Sequence, residues 1–375
     1  MAVRLAMVGM DPVQREWVRA VGELRAAGEI EVVAAGHRTV ALARDLADAV
    51  GGGGEAERVP AYDDLRTLTH ERTPQVVLLD RPENLTLDML RGWLGQKIGV
   101  LSVGPPVETV AEALALSEAL EARTHLLYVW PRMMGTFGYR QAAGAEDFIR
   151  PVRFASGTWL GRNHALAKAA DIRAGEERAV QPGGTEGGGS GASGGAASAE
   201  GVEIVRSLSV LAWDALATLI ELMDVPTSVF ASIRGTVGQG DTFADMSGAA
   251  ALTLRFPEDA AASLTLSDRM AGGVAAGEER SLLLLGQGGT ARISAGWYEF
   301  HDAAGRRMDE GRAAGEAGGE AAALREFLQH FQMPATPQRG WEHRLSAVAA
   351  TMEALVVSHR TGQAESPERF RRLRR

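Results

Sequence analysis

Cysteine is absent from these 375 residues. That removes disulfides, Cys-ligated zinc or iron–sulfur centres and any thiol nucleophile. Lysine is nearly absent too: of 39 basic residues only Lys97 and Lys168 are lysines, which leaves two candidates for lysine chemistry. No uninterrupted apolar run reaches about 18 residues, so no membrane span is expected. Positive charge is not in excess either. A formal charge of −9 and a pI near 5.5 argue against a nucleic-acid partner, which needs a basic face. The opening run enters an apolar strand at once, without the longer apolar core and small-residue cleavage site of a signal peptide; the expected compartment is the cytoplasm. No spacing of His, Asp and Glu resembles a metal site, and no G-x-S-x-G elbow occurs.

What is present reads as two domains, because a chain of this length exceeds what one core usually serves. Residues 1–125 alternate short apolar strands with helical stretches. Val3 to Val8, Ile30 to Ala35, Val76 to Leu79 and Val100 to Val103 read as buried strands. A helix is expected from Pro12, with Trp17, Val21 and Leu24 on one face, and Thr39 is placed to cap the next. Such alternation predicts an α/β domain with a parallel sheet, whose ligands lie at the carboxyl ends of the strands. Residues 126–375 change character. Val152 to Leu160, Ser228 to Val237, Ala250 to Phe256, Ala262 to Ser267, Ser281 to Leu285, Thr290 to Ser294 and Trp297 to His301 read as strands of a mostly antiparallel, open sheet. Ser209 to Met223 reads as a helix, and Leu345, Val348, Ala349, Met352, Leu355 and Val356 form a helical stripe. Residues 174–201 are a Gly/Ser/Ala-rich flexible insertion. Residues 366–375 read as a basic, solvated tail.

Several local sequences, in order, resemble the glucose–fructose oxidoreductase / inositol dehydrogenase (Gfo/Idh/MocA) family. They are the opening strand with Gly9, Pro60 to Leu65, the strand and exit loop from Gln75 to Pro82, Val100 to Pro106, the Phe256 to Asp259 turn, Leu285 to Thr290 and Ala354 to Gln363. The resemblance implies an N-terminal Rossmann-type domain followed by a C-terminal α+β domain with an open antiparallel sheet. It further implies NAD or NADP as cofactor, a sugar or polyol as substrate, and oligomers built through the second sheet. On that pattern Gly9, Arg38, Pro82 and Gly104 would line the nucleotide.

The motifs that carry the family's chemistry are missing. Its phosphate loop, G-x-G-x-x-G/A, is matched here by Gly9-Met10-Asp11-Pro12-Val13-Gln14, which keeps only the first glycine. Asp11 before Pro12 makes a good helix cap, yet its carboxylate falls where a diphosphate would rest. Two unit charges about 4 Å apart repel by on the order of 4 kcal/mol at an effective dielectric near 20, or roughly a thousandfold in affinity. Where NAD users end the second strand in an acidic residue, this chain has Gly36-His37-Arg38. Arg38 reads either as a partner for a 2′-phosphate, favouring NADP, or as a solvated arginine. The family's Glu-Lys-Pro run is Gly104-Pro105-Pro106, and its Asp and His pair aligns with Ser207 and Leu211, with Asp214 matching a further aspartate. Proline and leucine cannot carry a proton.

Other residues are candidates for replacement chemistry. His164 and Lys168, one helical turn apart after the first strand of the second domain, are the candidate catalytic pair, with Arg162 and Asn163 beside them for substrate. Trp130, Arg132 and Tyr139, where the chain crosses between domains, are further substrate candidates. The reading is a family protein with degenerate dehydrogenase chemistry and weak or absent NAD(P) binding. Its alternatives are a non-catalytic scaffold or binding subunit, pairing as a homo-oligomer or with an active relative, and a rewired NADP-dependent sugar oxidoreductase or glycosidase.

Overall fold

In the computed structural model the described residues are 2–10, 15–51, 58–82, 84–120, 126–144, 149–161, 207–237, 243, 246–268, 279–313, 319–333 and 341–373. Asp11, Pro12 and Gln14, the cluster Arg162, Asn163, His164 and Lys168, and the insertion 174–201 lie outside them.

The apolar runs of the first part pair into a parallel sheet. Its strands are β1 (Val3–Val8), β2 (Ile30–Gly36), β3 (Ala61–Tyr62), β4 (Val76–Leu79), β5 (Gly99–Ser102) and β6 (Leu127–Val129), in the order β3-β2-β1-β4-β5-β6. Every residue of β4 and β5 is buried, as befits strands covered on both faces. The covering helices are α1 (Arg15–Ala26), α2 (Val40–Gly51), α3 (Leu65–Arg72), α4 (Leu87–Gly95) and α5 (Val110–Leu120). Local chemistry sets their starts. Thr39 Oγ1 accepts from Leu42 N at 3.4 Å, Asp64 Oδ1 from Arg66 N at 2.9 Å, and Thr86 Oγ1 from Met89 N at 3.3 Å. Helix α1 begins at Arg15, after the expected start at Pro12.

Short helices α6 (Arg132–Gly135) and α7 (Phe137–Gly144) lead into the second sheet. It consists of β7 (Val152–Leu160), β8 (Ser228–Val237), β9 (Met246–Arg255), β10 (Ala261–Ser267), β11 (Glu279–Gly286), β12 (Gly289–Ser294), β13 (Trp297–Asp302) and β14 (Arg307–Arg312). The order is β14-β13-β12-β11-β7-β10-β9-β8, antiparallel throughout except where β10 runs parallel to β7. One face is covered by α8 (Ser207–Met223) and α10 (Trp341–Thr361); α9 (Glu320–Gln332) lies between β14 and α10 in sequence. All six residues of the expected stripe on α10 are buried. On the other face, among the described residues, Phe230, Thr253 and Ser263 are exposed.

Helix α9 crosses back to the first sheet. Its Ala323, Leu324, Phe327 and Leu328 share one apolar cluster with Val3, Leu5, Met7, Trp17 and Leu24, and Arg325 Nε pairs with Glu29 at 3.0 Å. Residues 367–373 are not a solvated tail: Pro367–Leu373 form a final helix, α11, that buries Phe370 at 8% exposure. Among the described residues no helix is long and apolar enough to cross a membrane.

Candidate functional site: the carboxyl edge of the parallel sheet

Strand order reverses between β1 and β4, so the crevice at their carboxyl ends is where this architecture places a ligand. Gly9 leaves β1 with φ +73°, and its N–H donates to Gly36 O at 2.8 Å. A Cβ on Gly9 would lie 1.8 Å from the carbonyl oxygen of Asp80 and 2.7 Å from Pro82 Cδ. Protein packing alone therefore demands glycine at this position, with Pro82 closing over it. Met10, next along, is fully buried.

Asp80 stands between the two neighbouring strand exits. Its N–H donates to Val8 O at 2.9 Å, while its side chain leans the other way, toward β5. A Cβ on Gly104 would lie 3.1 Å from Asp80 Oδ1 and 3.9 Å from Val210 Cγ2, in the first turns of α8. Ser102 Oγ donates to Gly104 O at 2.8 Å and fixes the turn into Pro105 and Pro106. Three elements thus converge on Gly104: the ends of β4 and β5 and the start of α8.

The next residue, Arg81, is a clamp that local sequence reading does not single out. Its side chain is 8% exposed. Nη1 donates to Glu112 Oε2 at 2.9 Å and to Pro106 O at 2.8 Å, Nη2 to Glu112 Oε1 at 3.3 Å, and Nε lies 3.6 Å from Glu108 Oε1. Glu112 Oε2 also accepts from Glu108 N at 2.8 Å, so one planar guanidinium ties the β4 exit to the β5 exit and the first turn of α5. The available signal was two glutamates four apart opening a helix, with an arginine just past a neighbouring strand. Between β8 and β9, Phe243 N donates to Glu108 O at 3.2 Å, and Ser209 Oγ donates to Phe243 O at 2.9 Å.

Leu211 faces the exit of β7, where a Cβ on Gly161 would meet its Cδ1 at 3.0 Å. Asp214, one turn on, is spent inside the protein. Oδ1 accepts from Met133 N at 3.0 Å, and Oδ2 from Trp159 Nε1 at 3.0 Å and Arg280 Nε at 2.8 Å. At the exit of β2, His37 is buried and its Nδ1 accepts from Arg38 N at 2.9 Å; Arg38 itself is partly exposed.

The structure places Trp130 at 6% exposure against Gly135 and the Tyr128 ring, 5.9 Å away, and Arg132 partly buried at the start of α6. Tyr139, at 5% exposure, belongs to the other apolar cluster; burial, then the Glu221 carboxylate, push its hydroxyl pKa up. Trp130 and Tyr139 are thus packed in different cores. Among the described residues, no group of three His, Asp or Glu side chains is arranged to hold a metal ion.

No family model matches the chain, and no curated protein matches it by sequence. Solved structures match it almost end to end. Levoglucosan dehydrogenase in complex with NADH matches with a TM-score of 0.71 at 13% identity, over 98% of this chain and 99% of that one. An oxidoreductase from Agrobacterium radiobacter, in complex with NAD+, L-tartaric acid and magnesium, gives 0.70 at 13% identity over 98% and 99%. The fold is that of these oxidoreductases. Scyllo-inositol dehydrogenase from Lactobacillus casei, with bound NAD(H) and scyllo-inositol, gives 0.67 at 11% identity over 98% and 100%. The two-domain fold implied by the Gfo/Idh/MocA resemblance is the fold found.

Proposed function

We propose that this chain keeps the oxidoreductase fold of the Gfo/Idh/MocA type without its ordinary dehydrogenase chemistry, and that it holds NAD or NADP weakly or not at all. Moving a hydride from a carbinol carbon to a nicotinamide also requires a group that takes the hydroxyl proton. The observation that carries the reading is the meeting of the β5 exit with α8. Gly104 comes up against Val210, Pro105 and Pro106 follow it in the chain, Leu211 follows Val210 on the helix, and none of these five residues has an ionisable side chain. The NAD-bound structures of the same fold support a nucleotide-type ancestry for the crevice. Fluorescence titration with NADH and NADPH, followed by assays on sugars and polyols, tests it. The expected result is millimolar or weaker binding without turnover; micromolar binding with turnover would sink the reading. Should NADPH bind measurably, Arg38→Ala weakens it far more than NADH if Arg38 meets the 2′-phosphate.

A binding or scaffold role through the second sheet is supported by its open face. Phe230, Thr253, Ser263, Ser156 and Leu283 are directly paired across β8, β9, β10, β7 and β11, a row free of charge. Phe230 is 43% exposed and Leu285, further along β11, 38%. An exposed face crossed by an uncharged row of this kind suits a two-fold contact with a second copy of the chain. Sedimentation of wild type against Leu283→Arg tests this; a wild-type monomer at tens of micromolar protein would discard it.

A further inference from the structure

Strand β8 ends the second sheet, so one of its edges has no neighbouring strand. Alternate N–H and C=O groups of such an edge point away from the sheet and would template a further strand. Here they are already taken. Val229 N donates to Glu365 O at 2.8 Å and Val229 O accepts from Glu365 N at 2.9 Å, a single antiparallel bridge. Two residues on, Ala231 N donates to Ser358 Oγ at 3.1 Å, and two further, Ile233 N donates to His359 Nδ1 at 3.2 Å. All three partners come from the end of α10 and the turn that follows it. Gly362, with φ +68°, reverses the chain there, and its N–H donates to Ser358 O at 2.8 Å. Ser358 Oγ donates in turn to Gln363 O at 2.6 Å, while Thr361 Oγ1 and Arg369 Nη1 reach the Glu365 carboxylate at 3.4 and 3.3 Å. A hydroxyl that takes from the strand and gives to the turn ties the two together. Ser358 is buried, as are Val229, Ala231 and Ile233. The sheet's other edge, β14, is guarded by charge instead, on Arg307, Asp309, Glu310 and Arg312.

We infer that the end of α10, with Glu365, is an edge plug: it occupies the outward groups of β8 and keeps a second copy of the chain from pairing there strand to strand. A second copy is the occupant that the residues of β8 would admit. Laid antiparallel about Ala231, two copies of the strand would set Val229 opposite Ile233, Phe230 opposite Ser232 and Arg234 opposite Ser228, with no like charges opposed. The plug is independent of the sheet-face contact proposed above, so every protein in the test carries Leu283→Arg to suppress that contact. Sedimentation of the full chain then compares this parent with two variants. Ser358→Ala/His359→Ala removes both side-chain acceptors, and Ser358→Thr/His359→Asn keeps one at each position. Thermal melting confirms that each is folded. The double alanine variant should self-associate about tenfold or more tightly than the parent, while the Thr/Asn variant sediments as the parent does. A folded double alanine variant that sediments like the parent would overturn the plug. Equal association of the Thr/Asn variant would overturn it as well, because loss of the acceptors would not then be the cause. Amide exchange on the parent needs no variant to fold. The Ala231 and Ile233 amides should be protected like those of a strand paired on both sides, and His359→Ala should speed exchange at Ile233 about tenfold while sparing Ala231. Unprotected amides at Ala231 and Ile233 in the parent would end the proposal outright.

Discussion

Asp214 and Arg280 form an ion pair at 2.8 Å with side-chain exposures of 6% and 8%, on α8 and β11 respectively. The carboxylate also takes N–H groups from Trp159 on β7 and Met133 on α6, so one side chain joins four elements. Removing a single partner strands a buried charge, at a cost of about 3–5 kcal/mol. Asp214→Ala is therefore expected to lower unfolding free energy by that amount in urea melts. Joint replacement by Asp214→Leu and Arg280→Met should recover part of the loss, since the guanidinium stranded by the single change is removed with it. A mild effect of Asp214→Ala would mean that this aspartate is not the polar hub.

Gly9 is expected to matter for the stability of the protein without any ligand. Alanine there meets the Asp80 carbonyl at 1.8 Å and must take φ +73°. Overpacking costs about 1–3 kcal/mol and the left-handed backbone about 1–2 more. Gly9→Ala should therefore destabilise the free protein by several kcal/mol in chemical denaturation. A stable Gly9→Ala protein would show that the β1 and β4 exits can separate.

Arg81 should hold the loops around the crevice. Its guanidinium is buried, but Glu108 and Glu112 are 27% and 25% exposed, so solvent screens part of the interaction. Arg81→Ala is expected to cost about 2 kcal/mol, below the range for a fully buried pair. Amide exchange should rise across residues 103–109 and remain unchanged in β1. Arg81→Lys should not rescue it, because one ammonium nitrogen cannot reproduce the two-nitrogen fork of Nη1 and Nη2 onto both Glu112 oxygens.

Some strand bounds were legible: Val152 to Leu160 and Ser228 to Val237 are the limits of β7 and β8, whereas Ala250 to Phe256 missed the start of β9 at Met246. Strand β14, Arg-Met-Asp-Glu-Gly-Arg, escaped because an edge strand that is exposed along most of its length has no apolar face to betray it. The final helix was hidden by its arginines. Glu365 and Glu368 answer three of them, and Pro367 and Phe370 supply the buried side that the charge count masks. At the site, Gly104, Pro105, Pro106 and Leu211 could be read residue by residue as side chains without an ionisable group. Their spatial neighbours could not. The Arg81 clamp and the approach of Asp80 to Gly104 depend on β4 and β5 lying side by side, a neighbour relation that no local pattern records.

That neighbour relation yields the sharpest test of the crevice. The backbone of Gly104 does not require glycine, because its φ lies outside the left-handed region. Alanine at a compatible position usually stabilises by about 0.4–1 kcal/mol, by restricting the unfolded chain. In the wild type that gain is opposed by the contact at 3.1 Å with Asp80 Oδ1, so Gly104→Ala should be destabilising. With Asp80→Ser in place the obstruction is shortened, and the same Gly104→Ala change should become stabilising. A double-mutant cycle in urea should then give a coupling of about 1 kcal/mol between the two positions, within the range for residues in contact. Additive effects would mean that the Asp80 carboxylate swings away freely, and Gly104 would then owe its identity to something other than the carboxylate beside it.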